Sequence, residues 1–394
     1  MLRLIRRLLI GLAALAVLAA TMIAIWGPGY VERRINTRSI VQAPHPVSPQ
    51  ARALHDRLVI GDWHSDALLW DRDLLTQSDR GHSDIPRLIQ GNVAVQVFTT
   101  VTKSPRGQNY GHNSAEAADN ITPLFIGQLR PPPSWFSLKE RALTQARALD
   151  RAARAAPDRL TILRSAQDLH ALLAARRNGT RILGAILGTE GAHPLEGDIA
   201  NLRVLYGAGF RLIGLTHFFD NELGGSLHGE GTGEGEGLTD FGRQVVAEMQ
   251  ARHMIIDLAH ASPRMVRDVL AMPGTRPILS HTGIRGNCAS PRNLPDDLVR
   301  AIAAKGGLIG IGFWTEVNCG PHAIHVATSI RAAIALVGED RVSLGSDFDG
   351  AVDTPFDAAH LVELTQALLD QGLTEDQIAK VMGGNMMRYL AETL

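Results

Sequence analysis

The sequence predicts an α/β fold, a (β/α)8 TIM barrel preceded by an amino-terminal transmembrane helix. Three observations carry this expectation. Eight short runs rich in Val, Ile and Leu alternate with longer amphipathic stretches. The runs are continuously apolar rather than alternating, the pattern of strands covered on both faces, as in parallel sheets. No Gly-x-Gly-x-x-Gly follows the first run, which disfavours the rival doubly wound open sheet.

The elements follow in order. Arg3, Arg6 and Arg7 precede Leu8 to Trp26, an uncharged apolar stretch of 19 residues, close to the ~20 that a bilayer-spanning helix needs. An Ala-x-Ala triplet, Ala14-Leu15-Ala16, lies inside this stretch rather than after it, which favours an uncleaved anchor over a signal peptide. The positive-inside bias leaves the arginines in the cytoplasm and the rest of the chain outside. Residues 1–30 therefore read as anchor, 31–50 as a polar linker and 51–394 as the functional domain. The eight expected strands are Leu58–Asp62, Val93–Val97, Ile182–Leu187, Arg211–Leu215, Met254–Asp257, Pro277–Ser280, Gly307–Gly312 and Arg341–Ser346. Helical periodicity marks Leu143–Ala156, Leu238–Arg252, Ser262–Ala271, Pro295–Lys305 and Ile324–Val337. Thr374-Glu375-Asp376-Gln377 is a capping-box pattern that opens a last helix through Leu390. The Gly-rich segment from Gly224 to Gly237 reads as a mobile loop after strand four, either a lid or plain surface.

At 394 residues and 45% apolar content, the chain can bury a core of barrel size. Its 39 basic and 40 acidic side chains nearly cancel, so no nucleic-acid partner is expected. Two cysteines, Cys288 and Cys319, exclude a disulfide-built scaffold and a thiolate zinc site. Outside the cytoplasm the two can form one bridge.

In a (β/α)8 enzyme the active site lies at the carboxyl ends of the strands. Strand one delivers His64 and Asp66, whose i, i+2 spacing puts both on one face. Strand three runs into Glu190, strand four into His217, strand five into His260 and strand six into His281. Strand eight ends with Asp347-Phe348-Asp349-Gly350. One strand-end histidine has a dull structural explanation, but acid or imidazole groups at six of eight strand ends form a pattern. Histidines with carboxylates and no thiolates suit Zn²⁺, with Mn²⁺ or Co²⁺ as replacements. These ligands exceed the needs of one open zinc and fit a pair of metals sharing a carboxylate and activating a bridging hydroxide.

These residues resemble the membrane (renal) dipeptidases, the zinc dipeptidase branch of the amidohydrolase superfamily. The matching pieces are Asp62-Trp63-His64-Ser65-Asp66, His82 to Leu88, Glu190-Gly191, Leu215-Thr216-His217, Asp257-Leu258-Ala259-His260, Ser280-His281, Cys288 to Asp297 and Gly345 to Gly350. They occur in family order across roughly residues 55 to 390. The resemblance implies two Zn²⁺ per chain, with His64 and Asp66 on one, His260 and His281 on the other, and Glu190 bridging. It further implies that His217 contacts substrate and stabilises the oxyanion. Arg292 would hold the terminal carboxylate of a small dipeptide, and Asp347 would be the general acid/base. An arginine fork suits a carboxylate, and a strand-end carboxylate suits the proton transfers. Asp349 is the second candidate for acid/base. His82, His193, His228, His322 and His325 read as structural or surface residues.

One stretch departs from the family. The Asn-Phe-Tyr-like stretch after strand seven is here Gly312-Phe313-Trp314, so the substrate-lining position 314 carries an indole without a hydroxyl. The expected function is hydrolysis of dipeptides by a membrane-anchored, extracytoplasmic dinuclear zinc enzyme. The alternatives are an amidohydrolase acting on N-acyl amino acids, lactams or esters, and a non-catalytic anchored metal- or peptide-binding protein. The sequence leaves a homodimer open.

Overall fold

The computed structural model describes residues 2–38, 46–231 and 235–394. Eight parallel strands form the barrel: β1 (Ile60–Ser65), β2 (Val93–Val101), β3 (Leu183–Glu190), β4 (Phe210–Gly214), β5 (Ile255–Asp257), β6 (Leu279–Thr282), β7 (Ile309–Ile311) and β8 (Val342–Leu344). From β1 the sheet runs through β2, β3 and β4 to β5 in one direction, and through β8 and β7 to β6 in the other. A parallel bridge between Asp257 and Ile278 joins β5 to the start of β6 and closes the ring. Every expected strand is present. Several run further toward their carboxyl ends than the apolar runs, because backbone pairing continues after the side chains become polar. Thus Val101 still pairs with Glu190, past the expected ends at Val97 and Leu187, whereas β7 and β8 are shorter than their runs.

Helices cover the outside. Asp240–Ala251, Pro263–Ala271, Asp296–Ala304 and Ala323–Val337 lie where periodicity placed them. The excursion after β2 holds the helix Leu138–Ala155, capped by Ser137, and an extra short strand, Leu160–Ile162, paired with β3. The capping box at Thr374 and Gln377 forms, but the helix it opens is interrupted. A π turn over Lys380–Gly384 separates Glu375–Ala379 from Asn385–Thr393. A Cβ on Gly383 would lie 2.0 Å from the Val59 carbonyl, so the break brings backbone against backbone at the foot of β1.

The amino-terminal helix, α1, spans Leu2–Ile35 without a break at Gly27-Pro28-Gly29. The expected linker therefore begins as helix. Residues 39–45 of that linker lie outside the described residues. The extra turns are fixed by tertiary contacts that local propensity does not reveal. Buried Glu32 pairs with Arg72 at 2.7 Å and with Arg80. Asn36 Oδ1 accepts from Ala351 N at 2.8 Å, and Thr37–Arg38 pairs in parallel with Asp353–Thr354. The apolar part of α1 is long enough to cross a membrane and leaves the barrel uncovered by protein. Its carboxyl end docks on the barrel face where the strands end. On that same face the Cys288–Cys319 disulfide, with Cα atoms 5.5 Å apart, joins the loops after β6 and β7.

Candidate active site

The strand ends bring His64, Asp66, Glu190, His260 and His281 together, all buried. His64 and His281 lie within β1 and β6, and Glu190 is the last residue of β3. Asp66 leaves β1 in a turn rather than continuing the strand. It is held there by Thr99 Oγ1, which donates to Oδ1 at 2.5 Å, and its own N–H donates to Phe348 O at 2.8 Å. His260 and Asp347 sit at φ of 64° and 61°, left-handed conformations that swing a side chain off the strand end into the mouth.

Glu190 is the centre of the cluster. Its Oε1 lies 3.5 Å from His64 Nε2, 3.1 Å from His260 Nε2 and 3.4 Å from His281 Nε2, and its Oε2 lies 3.3 Å from His217 Nε2. His64 Nε2 is also 3.6 Å from Asp66 and 3.9 Å from Asp347. His260 Nε2 and His281 Nε2 stand 2.9 Å apart. Three overlapping sets of possible ligand atoms result: His64, Asp66 and Glu190; Glu190, His217 and His260; and His64, His281 and Asp347.

These residues fit divalent metals. His64 Nε2 is buried without a hydrogen-bond partner. Ser280 explains the ring orientations: its Oγ donates to Asp257 Oδ2 at 2.6 Å and lies 2.8 Å from His281 Nδ1 and 3.3 Å from His64 Nδ1. A serine that gives its proton to Asp257 accepts from Nδ1–H, which leaves the Nε2 lone pairs facing inward. That is the carboxylate-backed support expected behind metal-binding histidines. Ionisation responds accordingly. Burial raises Glu190 well above the usual carboxylate range, and the neighbouring Asp66 charge adds to it. Burial and the adjacent Arg292 charge push His260 well down. Burial opposes charge on His64, but Asp66 and Glu190 overcome it and raise that imidazole to about 10, so without a cation its Nε2 holds a proton that a bound metal would have to displace.

The remaining predicted residues lie around this centre. Arg292 is buried, and its Nη2 donates to His260 Nε2 and to His281 O, both at 3.1 Å. The His260 lone pair cannot serve both the guanidinium and a metal. Asp347 faces His64, and burial lifts its carboxyl to about 8, with His64 opposing and Asp66 adding. Asp349 turns away. It accepts from His82 N at 2.6 Å, Ser83 Oγ at 2.7 Å and Arg72 at 2.8 Å, so the second candidate for acid/base is a structural carboxylate. Trp314 is buried with its ring 5.9 Å from that of His281, and Arg292 lies 5.6 Å over its centroid.

Two residues of the site were not foreseen. Trp314 Nε1 donates to the hydroxyl of Tyr110 at 3.0 Å, so the excursion after β2 brings a phenol to this indole. His228, read as structural or surface, is buried, with its ring 5.3 Å from that of His260. Its Nδ1 lies 3.0 Å from Tyr110 O, and Ser226 Oγ donates to His217 O. The described part of the Gly-rich segment is therefore a roof folded onto the site; residues 232–234 lie outside the description. The only signal for either residue was an aromatic or imidazole side chain within a long loop.

A family model described as membrane dipeptidase (peptidase family M19) matches residues 48–393. The chain belongs to that family. Among curated relatives, dipeptidase aclJ of Aspergillus oryzae is 28% identical over 355 residues, covering 85% of this chain and 78% of the relative. Dipeptidase tcpJ of Claviceps purpurea is 27% identical over 375 residues, covering 90% and 81%. The fold matches the probable dipeptidase PvdM from Pseudomonas aeruginosa with a TM-score of 0.72 at 18% identity, covering 87% of this chain and 97% of that one. It also matches a metallopeptidase from Rhodobacter sphaeroides, solved with a phosphinate mimic of L-Ala-D-Ala, with a TM-score of 0.67 at 24% identity, covering 86% and 99%. This member of the M19 family is thus a hydrolase of the dipeptidase type, with metal-ligand clusters at its barrel mouth.

Proposed function

We propose that this chain is a membrane-anchored dipeptidase that works with two zinc ions on the extracytoplasmic side. In this reading residues 1–30 are the anchor and residues 51–394 the catalytic domain. The observation that carries the reading is Glu190, whose single carboxyl lies within 3.5 Å of imidazole nitrogens from β1, β6 and the loop after β5. A carboxylate has two oxygens and can therefore serve two cations at once. His64 and Asp66 would hold one ion, His260 and His281 the other, and Glu190 both. Bound there, such a pair would supply Lewis-acid polarisation of the amide carbonyl and an activated water.

The chain's own groups do the rest. Arg292 binds the free carboxylate of the substrate through its fork, and Trp314 and Tyr110 form a wall beside the guanidinium. His217 contacts the substrate and stabilises the oxygen that gains charge as the carbonyl becomes tetrahedral; because its Nδ1–H faces Lys103 O at 3.2 Å, Nε2 donates to that oxygen only in the protonated ring. Burial lowers the free imidazole to about 4, so it is neutral before substrate binds and takes up the proton as the negative charge develops beside it. Asp347 takes a proton from the attacking water and passes it to the departing amine.

The requirement for a carboxylate separates this reading from an esterase or a lactam hydrolase on the same scaffold. An uncompensated buried Arg292 costs about 2–5 kcal/mol, which is on the order of 30- to several-thousand-fold. Carboxyl amidation of a cleaved dipeptide should lower kcat/KM by at least that much. Equal turnover of the amidated and free forms rejects the role of Arg292. Metal bound without hydrolysis of any L,L or L,D dipeptide rejects the enzyme reading.

A further inference from the structure

The active site opens into a cavity of about 660 Å³ whose outer wall is the amino-terminal helix. Its floor is Asp66, Glu190 and His217. From α1 come Ile23, Pro28, Tyr30 and Val31, and opposite them stand Leu69, Val101, Ile121 and Leu124. Ser104, Gln108 and Asn120 add the few polar groups, and the surface is otherwise mainly apolar.

Three further observations say what this cavity is for. The wall is fixed, because Glu32 on α1 is buried and ion-paired to Arg72, which in turn holds Asp349 in the loop after β8. The wall also reaches the membrane: Ile23 belongs to the apolar stretch Leu8–Trp26 and lines the cavity as well. That stretch spans about 28 Å as a helix, close to the hydrocarbon thickness of a bilayer. Placing Leu8–Trp26 in lipid therefore sets the cavity entrance at the lipid surface. Lastly, the segment beside α1 shows an apolar face to solvent, with Leu129 73% and Phe136 87% exposed and Ile126 43% exposed. The helix that bears Ile126, Ile121–Gly127, packs on α1. Leu129 keeps a φ of 53°, an uncommon conformation for a leucine, while holding its side chain out. A face of this kind, next to a membrane helix, suits contact with lipid.

Orientation follows from the site. Arg292 lies against His260, His281 and Trp314, none of which lines the cavity, whereas the cavity ends at Asp66, Glu190 and His217. With the substrate carboxylate at Arg292, the residue on the acyl side of the scissile amide projects toward the cavity.

We propose that this cavity binds a long apolar side chain on the first residue of the dipeptide, so that the enzyme takes amphiphilic dipeptides from the lipid surface. The proposal rests on the dipeptidase reading given above. The test uses the full chain in phosphatidylcholine–phosphatidylglycerol vesicles and a series X-alanine, where X is L-alanine, L-leucine, L-2-aminooctanoic acid or L-2-aminododecanoic acid. The readout is the ratio of kcat/KM for each substrate to that for Ala-Ala on the same preparation, which cancels differences in active fraction. The ratio should rise at least tenfold by the aminooctanoyl member and fall back toward one in Leu124→Gln and in Val31→Gln. A flat or falling ratio in the unmodified enzyme that cleaves Ala-Ala overturns the proposal and leaves the dipeptidase reading intact. A steep ratio unchanged in both variants overturns the assignment to this cavity. Failure to cleave any member overturns the dipeptidase reading and the proposal with it.

Discussion

Asp347 and Asp349 are two residues apart and meet opposite surroundings. Asp349 receives donors from His82, Ser83 and Arg72; burial opposes its charge, but Arg72, His82 and the hydrogen bonds from Ser83 and His82 N together keep its carboxyl below the usual range. Asp347 has no such set of donors and sits 3.9 Å from His64 in the mouth. Asp347→Asn should therefore keep its metal content and lose about 10²- to 10⁴-fold in kcat, the scale of a lost acid/base. Full activity of that variant, measured beside its metal content, removes the assigned role. Asp349→Asn should instead lower stability by about 3 kcal/mol, the scale of a broken buried pair, seen in denaturant unfolding. Tyr110 makes a subtler case. Tyr110→Phe leaves the buried Trp314 Nε1 without an acceptor, which costs about 1–3 kcal/mol and loosens the wall beside Arg292. KM for dipeptides should rise more than kcat falls; unchanged KM and stability would show that the phenol is incidental.

At the scale of elements, the strands are legible because burial on both faces writes them as unbroken apolar runs, while their ends are not. The run at Leu58–Asp62 stops at the first acid, yet β1 continues to Ser65 and places His64 on a rigid ladder. A reading based on hydrophobicity loses the strand where function begins. The π turn at Lys380–Gly384 is hidden for another reason: apolar periodicity continues through it, and the cause is the Val59 backbone more than 300 residues earlier. The disulfide is the device that ties two site loops, since the loop it closes also carries Arg292. With a sequence separation of 31 residues, its loss should cost about 3–4 kcal/mol on the chain-entropy account. Cys288→Ser/Cys319→Ser should therefore show a lower unfolding midpoint, and a midpoint equal to that of the unmodified enzyme would contradict a stabilising bridge.

For the whole molecule, the barrel and the convergence of His64, Asp66, Glu190, His260 and His281 were readable because the fold obeys one rule: parallel strands deliver their carboxyl-terminal residues to one mouth. Tyr110 and His228 escaped because no comparable rule says where the tip of a long loop comes to rest. The union of α1 with the barrel escaped as well. Hydropathy reports a segment that lipid would accept, but the Glu32–Arg72 pair that turns its end into a wall of the site joins residues 40 apart in sequence. The amino-terminal helix and the barrel are thus physically one unit, and the candidate site lies where they meet.

In the proposed site Glu190 joins two metal positions. Elemental analysis of the full-length protein and of Glu190→Ala, each after equilibration with zinc and removal of excess, tests it most directly. Two zinc ions per chain in the former, with loss of both metal and hydrolysis in the latter, are expected. A single ion in the unmodified protein, or two ions and full activity retained by Glu190→Ala, would contradict it.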